Sequence, residues 1–346
     1  MPSPSQITSL DKPSAHLERA LMEVKKVVVG QDRMVERMLV ALLARGHCLL
    51  EGVPGVAKSL AVETLGRTVG GSSVRLQFTP DLMPSDIVGT RVYRPSQERF
   101  DVELGPVFAN FVLADEINRA PAKVQSALLE VMAEYQVSIA GTTHPLPKPF
   151  IVLATQNPIE SEGVYPLPEA QRDRFLMKVV VPQPNVSEEM EIVRRMSVRA
   201  PRAEEVLTLE DLIALQEVAD GVFVHHAIAE YAVALVMTTR EPVAWRMPEL
   251  APLIAVGASP RGSLGLVRAA RALALLRGRE YVVPNDVADL AVEVLAHRMV
   301  LTYEAVADGV RAEDLVGRIL ATVPQPAVAP SQQHGEPQPS LTRTVA

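Results

Sequence analysis

A short segment near residue 50 combines glycines, a lysine and a hydroxyl group in the order that suits a phosphate. Residues 52–59 read Gly-Val-Pro-Gly-Val-Ala-Lys-Ser. Glycines let backbone N–H groups approach phosphate oxygens, and the positive end of a following helix adds to the attraction. Lys58 would neutralise the β and γ oxygens of a nucleoside triphosphate, and Ser59 would hold magnesium. Such turns also occur by chance, so this segment needs support from a second motif.

An acidic pair further along the chain supplies that support. The apolar residues 111–114 precede Asp115 and Glu116. At the carboxyl end of a parallel strand, these carboxylates would meet the phosphate-binding turn. Asp115 would complete the magnesium shell, and Glu116 would orient and polarise the water that attacks the γ-phosphoryl group. The alternative is an ordinary acidic strand end, which is disfavoured once a phosphate turn precedes it by one strand-helix-strand interval.

A third apolar run ends in amides. Residues 151–155 are followed by Gln156, Asn157 and Pro158. Asn157 could hold the attacking water or the γ-phosphate from the side opposite Lys58. Because Asn-Pro is also a common way to begin a turn, this motif is informative only together with the other two.

Parallel strands are the elements that would position these three motifs. The apolar runs at residues 48–51, 111–114 and 150–155 have strand length, and residues 59–68 form a helix pattern directly after the phosphate turn. Helical spacing of apolar residues also predicts helices within residues 17–28 and 34–42. The pattern therefore predicts an α/β fold around a parallel sheet.

From residue 187 onward the pattern predicts helices and no strands. Pro182 and Pro184 interrupt both kinds of element, which predicts a domain boundary between residues 181 and 185. Two earlier segments, residues 86–105 and 136–144, alternate apolar and polar residues around turn residues and are predicted to form hairpins. The predicted helices of the second domain cover residues 187–199, 209–219, 227–239, 263–277 and 284–297.

Composition limits the class of function and the compartment. The 346 residues carry 34 basic and 41 acidic side chains, and this net charge of −7 has the wrong sign for binding nucleic acid by bulk attraction. Cys48 is the only cysteine, so internal disulfides are excluded and a reducing, cytoplasmic environment is expected. No apolar stretch approaches the roughly 20 residues of a membrane-spanning helix. The proline-containing ends, residues 1–14 and 324–346, are predicted to be disordered.

Taken as a set, the motifs resemble those of the MoxR family of AAA+ ATPases, within the clade that carries an insert in the helix after the second strand. The resemblance covers about residues 27–323 and includes Ala57, which is usual at its position in that family. The segments that carry it are residues 28–31 (Val-Val-Gly-Gln), 77–86 (Gln-Phe-Thr-Pro-Asp-Leu-Met-Pro-Ser-Asp), 114–120 (Ala-Asp-Glu-Ile-Asn-Arg-Ala), 154–158 (Ala-Thr-Gln-Asn-Pro) and 257–261 (Gly-Ala-Ser-Pro-Arg).

The resemblance implies a P-loop NTPase fold with a parallel sheet core and a C-terminal all-helical lid. It implies an ATP-hydrolysing ring, usually a hexamer, that remodels or matures other proteins, often with a partner that contains a von Willebrand factor A domain. ATP and Mg²⁺ are the implied cofactors, with Ser59 and Asp115 at the metal, Glu116 as the base and Asn157 as the first sensor. Gln31 is expected in the adenine pocket. The other residues expected to contact the nucleotide are Gly52, Val53, Pro54, Gly55, Val56, Ala57, Lys58, Ser59 and Leu60.

Two arginines complete the implied site. Arg174, within an Asp-Arg-Phe sequence, matches the position of an arginine finger that reaches the neighbouring subunit's nucleotide. Arg172 is the competing candidate, and either could instead form a surface ion pair. Arg261 follows Ser259 and Pro260, which suit an N-cap and a first helical position, where a cation is disfavoured unless an anion is bound. The resemblance makes Arg261 the second sensor, which contacts the γ-phosphate of its own subunit.

The expected organisation is an N-terminal lead (residues 1–14), an AAA+ α/β module (15–181, with an inserted hairpin at about 86–105), a helical lid (182–323) and a tail (324–346). Three other functions stay open. A motor subunit of magnesium-chelatase type would use the same ring chemistry, and a nucleotide-gated scaffold would bind ATP with little turnover. A nucleic-acid motor is disfavoured by the net charge. The acidic pair favours hydrolysis over pure binding, because a binder would not need a positioned base.

Overall fold

The computed structural model describes residues 12–158, 164–197 and 201–328. Residues 1–11 of the predicted lead and 329–346 of the predicted tail lie outside the described residues. No helix in the described part of the chain is long and apolar enough to cross a membrane. The elements of the first module are α1 (Pro13–Val27), α2 (Asp32–Leu43), β1 (Cys48–Glu51), α3 (Lys58–Thr68), β2 (Ser73–Gln77), α4 (Pro84–Val88), β3 (Gly89–Arg94), β4 (Arg99–Leu104), β5 (Phe111–Asp115), α5 (Ala122–Glu134), β6 (Gln136–Ile139), β7 (Thr142–Pro145), β8 (Ile151–Gln156), α6 (Glu169–Arg172) and β9 (Met177–Val180).

The second module, the lid, is helical as expected, with one exception. Its elements are α7 (Val186–Met196), α8 (Leu209–Gly221), α9 (His226–Arg240), β10 (Ile254–Val256), α10 (Pro260–Leu276), α11 (Pro284–Leu295), β11 (Val300–Leu301), α12 (Tyr303–Ala307) and α13 (Ala312–Thr322). The prediction of an all-helical lid is wrong at β10 and β11, which pair antiparallel. These strands have 3 and 2 residues, too few to produce a recognisable alternation in the sequence.

Five parallel strands form the central sheet in the order β2-β5-β8-β1-β9, which confirms the α/β prediction. Cys48 on β1 lies opposite Leu153 on β8, and Phe111 on β5 lies opposite Ile151 on β8. Every residue of β5 is buried, as is typical of a parallel strand covered on both faces. Because β5, β8 and β1 are adjacent and parallel, the segments that follow them meet at one edge of the sheet.

Alternation along the strands divides the sheet's side chains between two hydrophobic cores. Leu50, Leu113 and Leu153 belong to the larger core, whereas Leu49 and Val112 belong to the smaller one. Successive strand residues point to opposite faces, so each core covers one face of the sheet. The larger core is continuous with apolar residues of α1, α2 and the lid helices α8 to α11. The lid therefore packs on the face of the module that α1 and α2 cover.

The predicted hairpins at residues 86–105 and 136–144 both form. β3 pairs with β4 and β6 pairs with β7, in each case antiparallel. In the first hairpin the rings of Tyr93 and Phe100 are about half exposed, and their centroids are 5.0 Å apart. This hairpin therefore offers an aromatic surface to solvent.

Other parts of the fold have no clear sequence pattern. β2 lies at the edge of the sheet and alternates exposed with half-buried residues, so it contains no apolar run. The helix α1 begins at Pro13 and so includes two residues that the prediction assigned to the N-terminal lead. Proline suits that first helical position because the N–H it lacks has no partner there in any case.

Ion pairs buried between the modules attach the lid to α2. Arg37 is 0% exposed and pairs with Asp289 at 2.9 Å and Glu293 at 3.4 Å, both on α11. Arg33 pairs with the same two carboxylates, but its side chain is 58% exposed. A buried charge has to be paired, because its desolvation costs several kcal/mol. The pairing of Arg37 therefore holds α11 against α2.

Replacing Arg37 by methionine should destabilise the protein far more than the same change at Arg33. Arg37→Met removes the fully buried cation and leaves Asp289 and Glu293 paired only with the more exposed Arg33 and Arg277, so we expect the free energy of unfolding to fall by about 3 kcal/mol. Arg33→Met removes a largely exposed pair worth about 1 kcal/mol or less. Urea unfolding of the two variants measures the difference. Equal losses would show that burial of the Arg37 pair does not hold the lid.

Candidate functional site

Two residues with left-handed backbone conformation, and one close contact with the backbone of Val181, define the loop between β1 and α3. Gly55 has φ +86° and Ala57 has φ +62°. Gly55 adopts this conformation freely, whereas an alanine is strained by about 1 kcal/mol. A Cβ on Gly52 would lie 2.7 Å from the carbonyl oxygen of Val181, so only glycine fits there. Lys58 Nζ donates to the Gly52 carbonyl oxygen, which turns its ammonium group back over the loop.

The carboxylate of Asp115, at the end of β5, accepts hydrogen bonds from three side chains. Ser59 Oγ donates to Oδ2 at 3.2 Å, and the Arg75 guanidinium donates to the same oxygen at 2.6 and 3.1 Å. Thr155 Oγ1 donates to Oδ1 at 2.6 Å. Asp115 is only 6% exposed, so these charge-assisted bonds replace its lost hydration. The structure thus brings Ser59 and Asp115 together, as the sequence predicts for a metal site.

Glu116 is held in an unusual backbone conformation next to Asp115. Its φ is +57°, and its N–H donates to Thr155 Oγ1 at 2.9 Å. Its carboxylate accepts a hydrogen bond from Gln77 Nε2 at 2.8 Å and pairs with Arg119 Nε at 3.1 Å. Non-glycine residues with positive φ are concentrated at functional sites, where surrounding contacts enforce them. Here the Thr155 hydroxyl is one of those contacts, and it orients Glu116 relative to Asp115.

A cavity of about 490 Å³ opens beside these residues. Its polar wall contains Lys58, Ser59, Arg75, Asp115, Glu116, Thr155 and Asn157. Its apolar wall contains Val27, Val29, Ile192 and Met196. Of the other predicted nucleotide contacts, Pro54, Gly55, Ala57 and Leu60 line the cavity. Val53 and Val56 instead pack against the larger core and support the loop from behind. The combination of an apolar wall and a phosphate-type wall suits a nucleotide.

Gln31 binds the segment that joins the two modules. Its Nε2 donates to the carbonyl oxygen of Pro182 at 3.0 Å, and the residue is 5% exposed. Gln31 is not among the described residues that line the cavity. The side chain thus contacts the segment that joins the two modules, and the apolar wall includes Val29, two residues before Gln31; the contact of Gln31 with adenine stays a prediction.

The two predicted arginines line a separate cavity of about 240 Å³. Arg174 and Arg261 both border it, together with Asp173, and Arg261 Nη1 lies 3.6 Å from Asp173 Oδ2. Neither arginine is among the described residues around the 490 Å³ cavity. Arg261 is therefore separated from the cavity expected to hold the nucleotide of its own subunit, and its contact with that nucleotide stays a prediction. The physical reason is that the lid packs against α1 and α2, which carries the start of α10 away from the loop that follows β1.

Arg172 and Arg174 point to different places. Arg172 borders a third cavity, next to the lid residues Met299 and Leu301, and lies 3.6 Å from Glu169. Arg174 Nη1 donates to the carbonyl oxygen of Leu129, at 2.5 Å, beside the cavity that Arg261 also borders. The two candidates for an arginine finger are therefore separated, and Arg174 is the one that shares a cavity with Arg261.

The pair of Ser59 and Asp115 fits the preferences of Mg²⁺. Magnesium takes oxygen ligands and usually keeps water and phosphate ligands besides one or two protein groups. The Ser59 hydroxyl and the Asp115 carboxylate are 3.2 Å apart and are oxygen donors of that kind. Within the described ranges, no group of three or more His, Cys, Asp or Glu residues could hold a metal by itself. The donor set thus suits a cation that arrives together with phosphate.

Two residues of the site, Arg75 and Thr155, are missed by sequence reasoning. Arg75 lies on the edge strand β2, which has no apolar run to reveal it. Thr155 reads as the end of the β8 run, although its hydroxyl joins Asp115 to the N–H of Glu116. Only the parallel pairing of neighbouring strands shows that these side chains meet.

Thr155→Val should loosen the acidic pair, and Thr155→Ser should retain it. Valine matches threonine in shape but leaves the Asp115 oxygen and the Glu116 N–H without their shared partner in a buried site. We expect the free energy of unfolding to fall by about 1–3 kcal/mol in Thr155→Val and by less than about 1 kcal/mol in Thr155→Ser. Thermal and urea unfolding measure both. Equal stability of the valine variant and the wild type would contradict the role of the hydroxyl.

Two family models match different parts of the chain. Residues 47–177 match the ATPase family associated with various cellular activities (AAA). Residues 249–319 match the AAA lid domain.

Individual relatives match almost the whole chain. The chaperone MoxR1 of Mycobacterium tuberculosis is 59% identical over 330 residues, which cover 95% of this chain and 88% of the relative. The protein MoxR of Methylorubrum extorquens is 35% identical over 349 residues, covering 94% of this chain and 98% of the relative. A crystal structure of a candidate ATPase from Cytophaga hutchinsonii superposes with a TM-score of 0.86 at 44% identity, covering 91% of this chain and 96% of that one.

Proposed function

Because this chain belongs to the MoxR family of AAA+ ATPases, we propose that it hydrolyses ATP within a ring of identical subunits and uses that hydrolysis to remodel client proteins or complexes. Family membership supports nucleotide binding and a chaperone-type role. The reaction, the ring and the use of magnesium are the parts that we infer from the site.

The separation of the site into two halves is the observation that carries the proposal. Lys58, Ser59 and Glu116 border one cavity, whereas Arg174 and Arg261 border another. Phosphoryl transfer develops negative charge that arginines stabilise in many enzymes of this chemistry. A second copy of the chain can bring its arginine-lined cavity to the nucleotide cavity of the first. We therefore infer that the complete site lies between adjacent subunits, and that Arg261 acts across that seam together with Arg174.

Each residue of the nucleotide cavity then has a defined role. The loop N–H groups and Lys58 would bind the β and γ phosphates, and Ser59 and Asp115 would hold Mg²⁺, whose charge would offset that of the phosphates. Glu116 orients the attacking water and takes its proton as the water oxygen bonds to the γ-phosphorus, while the bond from that phosphorus to the β–γ bridging oxygen breaks and ADP leaves. Asn157, which borders the same cavity, holds the water or the γ-phosphate. Gln77 and Arg119 hold the Glu116 carboxylate in place before the substrate binds.

The proposal extends to partners and compartment on family grounds. We expect a hexameric ring, a partner with a von Willebrand factor A domain, and a cytoplasmic location, which the single, fully buried Cys48 suits. The half-exposed rings of Tyr93 and Phe100 on the β3–β4 hairpin are the surface that we assign to client contact. Aromatic side chains contribute large contact areas at little cost in conformational entropy, which suits repeated, unspecific contact with a polypeptide.

Glu116→Gln should bind ATP and assemble but hydrolyse it at least about 100-fold more slowly, because the amide cannot take a proton from the attacking water. Glu217→Gln on α8, an exposed site with the same change of charge, is the control and should retain the wild-type rate. Phosphate release and nucleotide binding are measured separately. An unchanged rate in Glu116→Gln would remove it as the base, and absence of turnover in the wild type would leave a nucleotide-gated scaffold.

Arg174→Ala should retain nucleotide binding and lower kcat by about a thousandfold. Added to wild-type subunits, it should also suppress their turnover, since each variant subunit withholds a cation from its neighbour. Arg172→Ala is the matched control and should have little effect, because that side chain borders a different cavity. Suppression by Arg172→Ala instead would reassign the finger. Full activity from a strictly monomeric protein would contradict the shared site.

A further inference from the structure

The buried lid residue Arg298 donates hydrogen bonds to backbone carbonyl groups on both sides of Arg174. Arg298, which follows α11, donates from Nη2 to the carbonyl oxygens of Phe175 at 2.6 Å and Asp173 at 3.4 Å. It donates from Nη1 to the carbonyl oxygen of Leu176 at 3.0 Å. Its Nε lies 3.1 Å from Asp173 Oδ1. The Arg298 side chain is only 3% exposed, so its position is fixed by these contacts.

The same short segment is held from a second lid element, the start of α10. Ser259 Oγ lies 2.9 Å from each carboxylate oxygen of Asp173, and the same hydroxyl caps α10 by accepting from the Arg261 N–H at 3.2 Å. Arg261 Nη1 lies 3.6 Å from the Asp173 carboxylate. The residue next to Arg174 therefore links Arg298, the α10 N-cap and Arg261 in one cluster.

The chemistry of this cluster requires arginine at position 298. A guanidinium has five N–H donors in a fixed plane, so it can bind several backbone carbonyls and a carboxylate at once. A lysine ammonium has three donors on a flexible stem and cannot reproduce that arrangement. Residues 173–176 connect α6 to β9 and carry Arg174 at a turn outside both elements. Without the lid cation, the four carbonyl and carboxylate contacts that define this turn would be lost.

We propose that Arg298 is a positioning residue: by holding residues 173–176 it sets the geometry of Arg174 and ties the lid of one subunit to the hydrolysis that its neighbour performs. The inference rests on the proposed function, in which Arg174 acts across the seam. The lid would then do more than pack against the first module. Any rotation of α10 and α11 would move the groups that bind Asp173, and with them the Arg174 that acts in the next subunit. Arg298 borders the same cavity as Arg174, but its side chain is 3% exposed and its guanidinium binds residues 173–176, so we assign it a positioning role.

The first test compares Arg298→Lys with Arg37→Lys. Both replace a buried arginine that joins the lid to the α/β module, but Arg37 contacts α11 and not residues 173–176. We expect Arg298→Lys to lower kcat about tenfold or more with the KM for ATP within about twofold of wild type, since misplacement of a catalytic group by about 1 Å can cost that much. Arg37→Lys should lose comparable thermal stability and retain its kcat. Asp173→Asn, which keeps the shape of the side chain, should reproduce the kinetic effect if Arg298→Lys does not fold.

The second test mixes subunits. If a variant is defective only in the Arg174 that it contributes to its neighbour's site, a different neighbour with a correctly placed Arg174 can restore hydrolysis. Arg298→Lys retains its own nucleotide cavity, and Glu116→Gln retains a correctly placed Arg174. An equimolar mixture of the two should regain up to about a quarter of the wild-type rate. About a quarter of the sites then pair an intact nucleotide cavity with a correctly placed Arg174 from the neighbour. Arg174→Ala mixed with Glu116→Gln should recover in the same way. Arg298→Lys mixed with Arg174→Ala should not recover.

The mixtures separate failure of this inference from failure of the proposed function. Recovery of Arg174→Ala but not of Arg298→Lys by Glu116→Gln would show that Arg298 serves only its own subunit, and would overturn the inference alone. Lack of recovery in both mixtures would reject hydrolysis across the seam, and the inference with it. A wild-type kcat in folded Arg298→Lys and Asp173→Asn rings would also overturn it.

Discussion

The parallel pairing of β5, β8 and β1 is the constraint on which the candidate site depends. It places the ends of these strands side by side, so that the Thr155 hydroxyl on β8 can bind the Asp115 carboxylate on β5 and the N–H of Glu116. Ser59, in the first turn of α3, reaches the same carboxylate. Buried polar groups of this kind are stable only when their partners are all present. The sheet register therefore determines the geometry of the acidic pair and the hydroxyl together.

A second constraint concerns the lid. Its helices share the larger core with α1 and α2. Two buried cations also connect the lid to the first module: Arg37 pairs with α11, and Arg298 binds the turn before β9. Such cations are costly to desolvate and are specific in geometry, so they favour one docking orientation over others. That orientation keeps Arg261 beside Arg174 and away from the loop after β1. The position of Arg261 beside the second cavity follows from where the lid docks, whereas Arg174 belongs to the turn between α6 and β9.

Sequence reasoning predicted the parts of the molecule whose pattern is local. The loop at residues 52–59, the buried strand before Asp115 and the two hairpins each have a signal of composition or period, and the structure contains all of them. It missed β2, whose alternating pattern lacks an apolar run, and the pair β10 and β11, which is too short for any period. The resemblance placed Gln31 near adenine, and only the structure shows that its side chain binds the Pro182 carbonyl oxygen. Local pattern does not specify such contacts, because the partner is distant in the chain.

By itself, the sequence determined which chemistry the protein carries: a phosphate-binding loop, a hydroxyl and a carboxylate suited to magnesium, a candidate base, Arg174 in the α/β module and Arg261 in a helical second module. Only the tertiary structure decided how these groups are distributed. Arg75 and Thr155 joined the site through strand pairing, and Arg298 reached the backbone around Arg174 from 122 or more residues away. The physical reason is that residue type and spacing set local conformation, whereas the distance between remote side chains depends on how sheet and helices pack.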